Sequence, residues 1–138
     1  MWNGTDSASS RGMSIAFVYR DLETWQEAMT LVEECYRVTA SFPRSEQYGL
    51  TSQIRRAAVS IPSNVAEGHS RKSTKVFANH VDIALGSHAE FETCLEIARR
   101  LGFIAERDNG KLSETCSSVG RLLNGLYKSL ERKLVTES

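Results

Sequence analysis

A chain of 138 residues is long enough for one domain that buries about two-thirds of its unfolded surface without a disulfide or metal to staple it. Its 17 Lys and Arg balance 17 Asp and Glu, which excludes the strong net field of a dedicated polyanion binder. The three cysteines, Cys35, Cys94 and Cys116, are far apart with no CxxC pair; this argues against a zinc site or a disulfide framework and for buried free thiols. No stretch reaches the ~20 apolar residues of a membrane span and the N-terminus lacks a signal-peptide core, so a cytoplasmic location is expected.

Residues 1–12, MWNGTDSASSRG, are small, polar and aperiodic. They are expected to be a disordered arm or a mis-assigned start, leaving 13–138 as the single folded domain. From there apolar residues recur at three- and four-residue steps almost throughout, which predicts an all-helical chain. The first helix is expected from Leu22 to Phe42, with Asp21 as N-cap and Leu22, Trp25, Met29, Val32 and Tyr36 on one face. Phe42-Pro43 ends it, because the residue before a proline avoids the helical region. The second is expected from Ser45 to Glu67, with Leu50, Ile54, Ala58, Ile61 and Val65 continuing one apolar stripe across Pro62. That continuity predicts a helix kinked at Pro62 rather than two helices, stopped by Gly68 in the left-handed region. Ser70 or Ser73 then caps a third helix, Thr74 to Leu101, which carries Phe77, Ala84, Phe91, Leu95 and Ala98 and ends at Gly102. The fourth, Asp108 to Leu134, carries Leu112, Val119, Leu123, Leu126, Leu130 and Leu134. Short connections between such helices imply an antiparallel up-down-up-down four-helix bundle.

Pro62 cannot donate to the carbonyl of Ala58 and crowds it, at a cost of ~3 kcal/mol in a regular helix, so a bend, and Ser60 or Ser63 bonding to freed backbone groups, are expected to offset it. Small residues lie on several sides of this helix. On the third, Asp82, Gly86, Ala89 and Thr93 share the outward face, where a glycine costs ~1 kcal/mol relative to alanine unless close packing uses it. Pro62 and Gly86 together point to assembly.

Five stretches, DLETWQEA (21–28), FP (42–43), YGLTSQIRRAAVSIPSNVAEG (48–68), IALGSHAEFET (83–93) and LLNGLYKSL (122–130), resemble the four-helix-bundle family encoded in intervening sequences of bacterial 23S rRNA genes. The resemblance runs in the same order over nearly all of Phe17 to Leu134. It extends to the accessory variability proteins of diversity-generating retroelements, which bind a reverse transcriptase and nucleic acid. What it implies is a homopentamer of bundles; it implies no defined biochemical role. The related accessory proteins are strongly basic, whereas this chain is neutral.

Catalytic chemistry finds little support. Glu90 and Glu92, two residues apart on a helix, diverge and make poor acid/base partners. No nucleophile elbow, P-loop or dinucleotide fingerprint is present. His69 lies beyond the expected helix stop and His80 and His88 are two turns apart, which argues against a metal site. The expectation is therefore no enzyme activity, no cofactor and no metal. The residues of interest are polar: Arg55, Arg56, Glu67, Gly86, Glu90 and Glu92 as oligomer contacts or buried ion pairs, with the third helix supplying carboxylates to the arginines. The alternative is RNA or DNA binding, acting with rRNA intervening sequences or a reverse transcriptase, through the basic block of Arg44, Arg55, Arg56, Arg71, Lys72 and Lys75.

Overall fold

The computed structural model describes residues 18–137; the expectation for residues 1–12 lies outside them. Four helices follow one another, α1 (Glu23–Thr39), α2 (Leu50–Ser70), α3 (Thr74–Arg100) and α4 (Glu106–Glu137), with 3-10 turns at Tyr19–Asp21 and Arg44–Glu46 and no strand among the described residues. Each helix packs on its neighbour in sequence and α1 packs on α4, which closes an all-α antiparallel bundle. No described helix is long and apolar enough to cross a membrane.

The ends of the helices follow local chemistry, in places differently from the sequence expectation. Asp21 is not the cap of α1: its Oδ2 accepts from the Val18 N–H at 3.1 Å, and the extended Leu22 precedes the helix. Residues 45–49 do not join α2 either, because Gly49 has a non-helical backbone and Glu46 Oε1 accepts instead from the Leu50 N–H at 3.0 Å. Pro62 lies inside α2 and is buried, and the helix runs through it.

The expected stop at Gly68 is corrected. Gly68 is a buried residue within α2, and the reversal comes at Lys72, whose φ is 57°. What Gly68 supplies is clearance: a Cβ there would lie 2.6 Å from His80 Cβ and 3.1 Å from Phe77 Cδ1. Ser73, by contrast, does cap α3, its Oγ accepting from the Val76 N–H at 3.2 Å. Gly102 ends that helix with φ 76°, and the Phe103 N–H reaches back to the Ala98 carbonyl at 2.9 Å, closing a Schellman motif.

The core is a single apolar cluster in which Leu31, Ile54, Ile61, Val65, Val81, Phe91, Leu112, Val119 and Leu123 are fully enclosed. Each side chain of this size contributes roughly 1.5–3 kcal/mol when withdrawn from water. Phe42 and Phe103 meet with ring centroids 6.0 Å apart, tying the α1–α2 connection to the α3–α4 connection.

Candidate functional site

Arg55 leaves α2 toward the C-terminal end of α1. Its Nε donates to Thr39 Oγ1 at 2.8 Å and its Nη2 to the Tyr36 carbonyl at 3.4 Å, while the guanidinium lies 4.4 Å from the Tyr36 ring centroid. Thr39 in turn donates to the Cys35 carbonyl at 2.7 Å. A cation placed here meets the negative end of the helix dipole and a π face together. Burial pushes the nearby Cys35 thiol up to about 12, against the lowering pull of the Arg55 charge.

The arginines therefore find no carboxylate on α3 within the subunit. Neither Arg55 nor Arg56 forms an ion pair among the described residues. Arg56, a further 100° or so around the helix, is exposed and lines a groove of about 520 Å³ with Tyr36, Val59, Ser60, Ser87 and Glu90. Arg56 and Glu90 thus face one groove without an ion pair between them. Beside it the outer surface is apolar: Val59 is 40%, Tyr36 44%, Ile97 41% and Ile83 53% exposed. Gly86 lies on this same face, and a Cβ built there would meet nothing within 4 Å.

Beneath the groove a polar seam joins α2 to α3. Ser60 and Ser87 hydroxyls are 2.8 Å apart; Asn64 Nδ2 donates to the Ser60 carbonyl at 2.9 Å and to its hydroxyl at 3.1 Å. His80 Nδ1 meets Asn64 Oδ1 at 3.0 Å, which calls for a proton on Nδ1. Asn64 thus bonds the Ser60 carbonyl rather than the Ala58 carbonyl that Pro62 leaves without a donor, and the Ser60 hydroxyl is spent on the neighbouring helix. Glu67 stands 3.8 Å from Arg71 and 3.9 Å from His80 Nε2, so its partners lie in its own subunit.

On the α4 side, His88 Nε2 lies 2.7 Å from the Cys116 carbonyl oxygen and 3.4 Å from Cys116 Sγ, and His88 Nδ1 is 3.7 Å from Glu92 Oε1. Burial, with the Glu92 charge adding to it, pushes the Cys116 thiol up to about 12. Sequence spacing could not pair Cys116 with His88, because the contact joins two helices 28 residues apart.

The basic block does not form one patch. Arg44 stands in the turn before α2, whereas Arg71, Lys72 and Lys75 lie at its far end, beyond a helix of 21 residues that spans about 30 Å. Lys72 does share a cavity of about 610 Å³ with Lys133, His69, Tyr19 and Phe77.

The sequence model of the family described as 23S rRNA-intervening sequence protein matches residues 20–125. The chain belongs to that family. A crystal structure of a protein of unknown function from the S23 ribosomal protein family of Bacteroides thetaiotaomicron is similar in fold, with a TM-score of 0.70 at 21% identity over 76% of this chain and 95% of that one. No curated protein matches. The 23S rRNA-intervening sequence match covers α1, α2, α3 and much of α4, so it spans both the outer groove and the His88 cluster.

Proposed function

We propose that this chain is a non-enzymatic homo-oligomeric scaffold that assembles through the outer face of α2 and α3, with Arg56 of one copy set against Glu90 of the next. The observation that carries this reading is Gly86. A glycine in a helix interior costs ~1 kcal/mol relative to alanine, and nothing in its own subunit comes near enough to use the space. Exposed Ile83 on α3, with Val59 and Tyr36 in the groove, supplies apolar area, and the facing charges of Arg56 and Glu90 supply register. The family resemblance sets five as the expected number of subunits.

Light scattering on the full chain tests it. An interface of standard size, ~1,600 Å² in total, holds at micromolar concentration, so a mass several times the 15.4 kDa of one chain is expected. Ile83→Glu should return the mass to that of one chain with helicity intact. A wild-type particle of one chain overturns the proposal.

A second reading, an RNA- or DNA-binding accessory protein, is supported by Lys72 and Lys133 lining one cavity beside Arg71 and Lys75. It predicts binding to rRNA fragments that weakens steeply with added salt and with Lys72→Glu, whereas binding absent at low salt removes it.

A further inference from the structure

We propose that His88, Glu92 and Cys116 form a binding site for a thiophilic divalent cation of the zinc class, bridging α3 and α4. One ligand atom from each of the three residues can be chosen so that all lie within 4.8 Å of one another. Imidazole, thiolate and carboxylate together are a donor set that suits zinc. His88 Nε2 and Cys116 Sγ are 3.4 Å apart, and Zn–N and Zn–S bonds of about 2.0 and 2.3 Å at a tetrahedral angle place two such ligands about 3.5 Å apart. The third ligand, Glu92, stands at the other edge of the imidazole, 3.7 Å from Nδ1, on a long and largely exposed side chain that a rotamer change carries to the ion.

Two further features fit. Gly120 makes the approach of the ring possible, since a Cβ there would lie 2.8 Å from His88 Cε1 and 2.9 Å from Nε2. A cavity of about 190 Å³ whose lining includes two of the three ligands, Glu92 and Cys116, together with Glu96, Arg99, Ser113 and Ser117, provides an entry path and room for water as the fourth ligand. On binding, the Cys116 S–H proton leaves to solvent and sulfur bonds the ion as thiolate; Nε2, which donates to the Cys116 carbonyl at 2.7 Å, gives up its proton as the imidazole takes the tautomer protonated on Nδ1, and its freed lone pair exchanges that carbonyl contact for the metal. That carbonyl is not orphaned, because the i to i−4 pattern of α4 gives it the Gly120 N–H. Histidine spacing and CxxC pairs along the chain do not detect a ligand set completed across two helices.

Cobalt(II) alone serves as the probe on the purified, reduced full chain. One equivalent should produce visible bands of four-coordinate cobalt and a near-ultraviolet thiolate charge-transfer band, both bleached by added zinc. Cys116→Ser should abolish the charge-transfer band while Cys35→Ser and Cys94→Ser retain it, and Glu92→Gln should weaken binding by ~10-fold or more. Circular dichroism of each variant separates loss of the site from loss of the fold, and His88→Gln gives a second route should Cys116→Ser fail to fold. Absence of the charge-transfer band in the folded wild type, or its survival in folded Cys116→Ser or His88→Gln, overturns the proposal.

Discussion

The two faces of α3 meet glycine in opposite ways. On the inward side, Gly68 of α2 and Gly120 of α4 lie under His80 and His88, and a Cβ at either position would come within 2.6 Å or 2.8 Å of the histidine above it. On the outward side, Gly86 belongs to α3 itself and faces open space. Gly86 and Gly120 sit in helix interiors and carry a ~1 kcal/mol propensity cost, whereas Gly68 stands in the last turn of α2. The difference teaches that a helical glycine acquires its purpose from the element opposite: two of these admit a histidine ring inside the bundle, and the third finds no use for its space inside the subunit. His80 and His88 are eight residues apart, roughly 80° around the helix, which is why one turns to α2 and the other to α4.

The largest effect that tests this contrast is expected from Gly68→Ala. The group it strikes is His80 Cβ, held by the backbone of α3 and unable to rotate away, so the overpacking cost of about 1–3 kcal/mol should outweigh the gain in helix propensity. Urea unfolding followed by circular dichroism should show a lower midpoint; an unchanged midpoint would mean that α2 and α3 separate freely and that Gly68 is not a packing residue.

Gly86→Ala should act with the opposite sign. In the Ile83→Glu background, where assembly is expected to be absent, it should raise stability by about 0.5–1 kcal/mol. A loss of stability there would show that Gly86 serves its own subunit after all.

The smallest effect belongs to the last turn of the helix. Arg99 and Arg100 donate to the Glu96 carboxylate at 2.8–3.0 Å and hold its pKa down to about 2 from 4.5. A carboxyl depressed in the folded state contributes stability above its unfolded value, and that contribution is lost as pH falls from about 4.5 through about 2. Because the three side chains stand in solvent, screening leaves little of it. Glu96→Gln should leave the melting temperature at pH 7 nearly unchanged and slightly flatten its decline between pH 4.5 and 2; a large drop at pH 7 would assign this turn a structural role that its exposure does not suggest.

Apolar recurrence at three- and four-residue steps determined four helices and the inward stripes of α2, α3 and α4 from the sequence by itself, but not that of α1, which buries Ala28, Leu31, Cys35 and Val38 and leaves Met29 and Tyr36 of the expected stripe exposed. Ser73 as a cap and Gly102 as a stop were legible for a local reason: each acts within one turn of its own position. Gly68 was misread because glycine serves both a left-handed stop and a close approach, and only His80 and Phe77 arriving from α3 choose between them. One of Arg55 and Arg56 was expected to meet a third-helix carboxylate across subunits; inside the subunit the groups that reach Arg55 are Thr39 and Tyr36 at the end of α1, a helix terminus whose direction no residue of α2 encodes. Cys116 reads as an inert thiol along the chain and stands 3.4 Å from His88 Nε2 in the bundle. Local periodicity and capping act through neighbours in sequence, whereas hydrogen-bond partners, clearances and ligand sets depend on which helix packs against which, and that is decided by the tertiary structure alone.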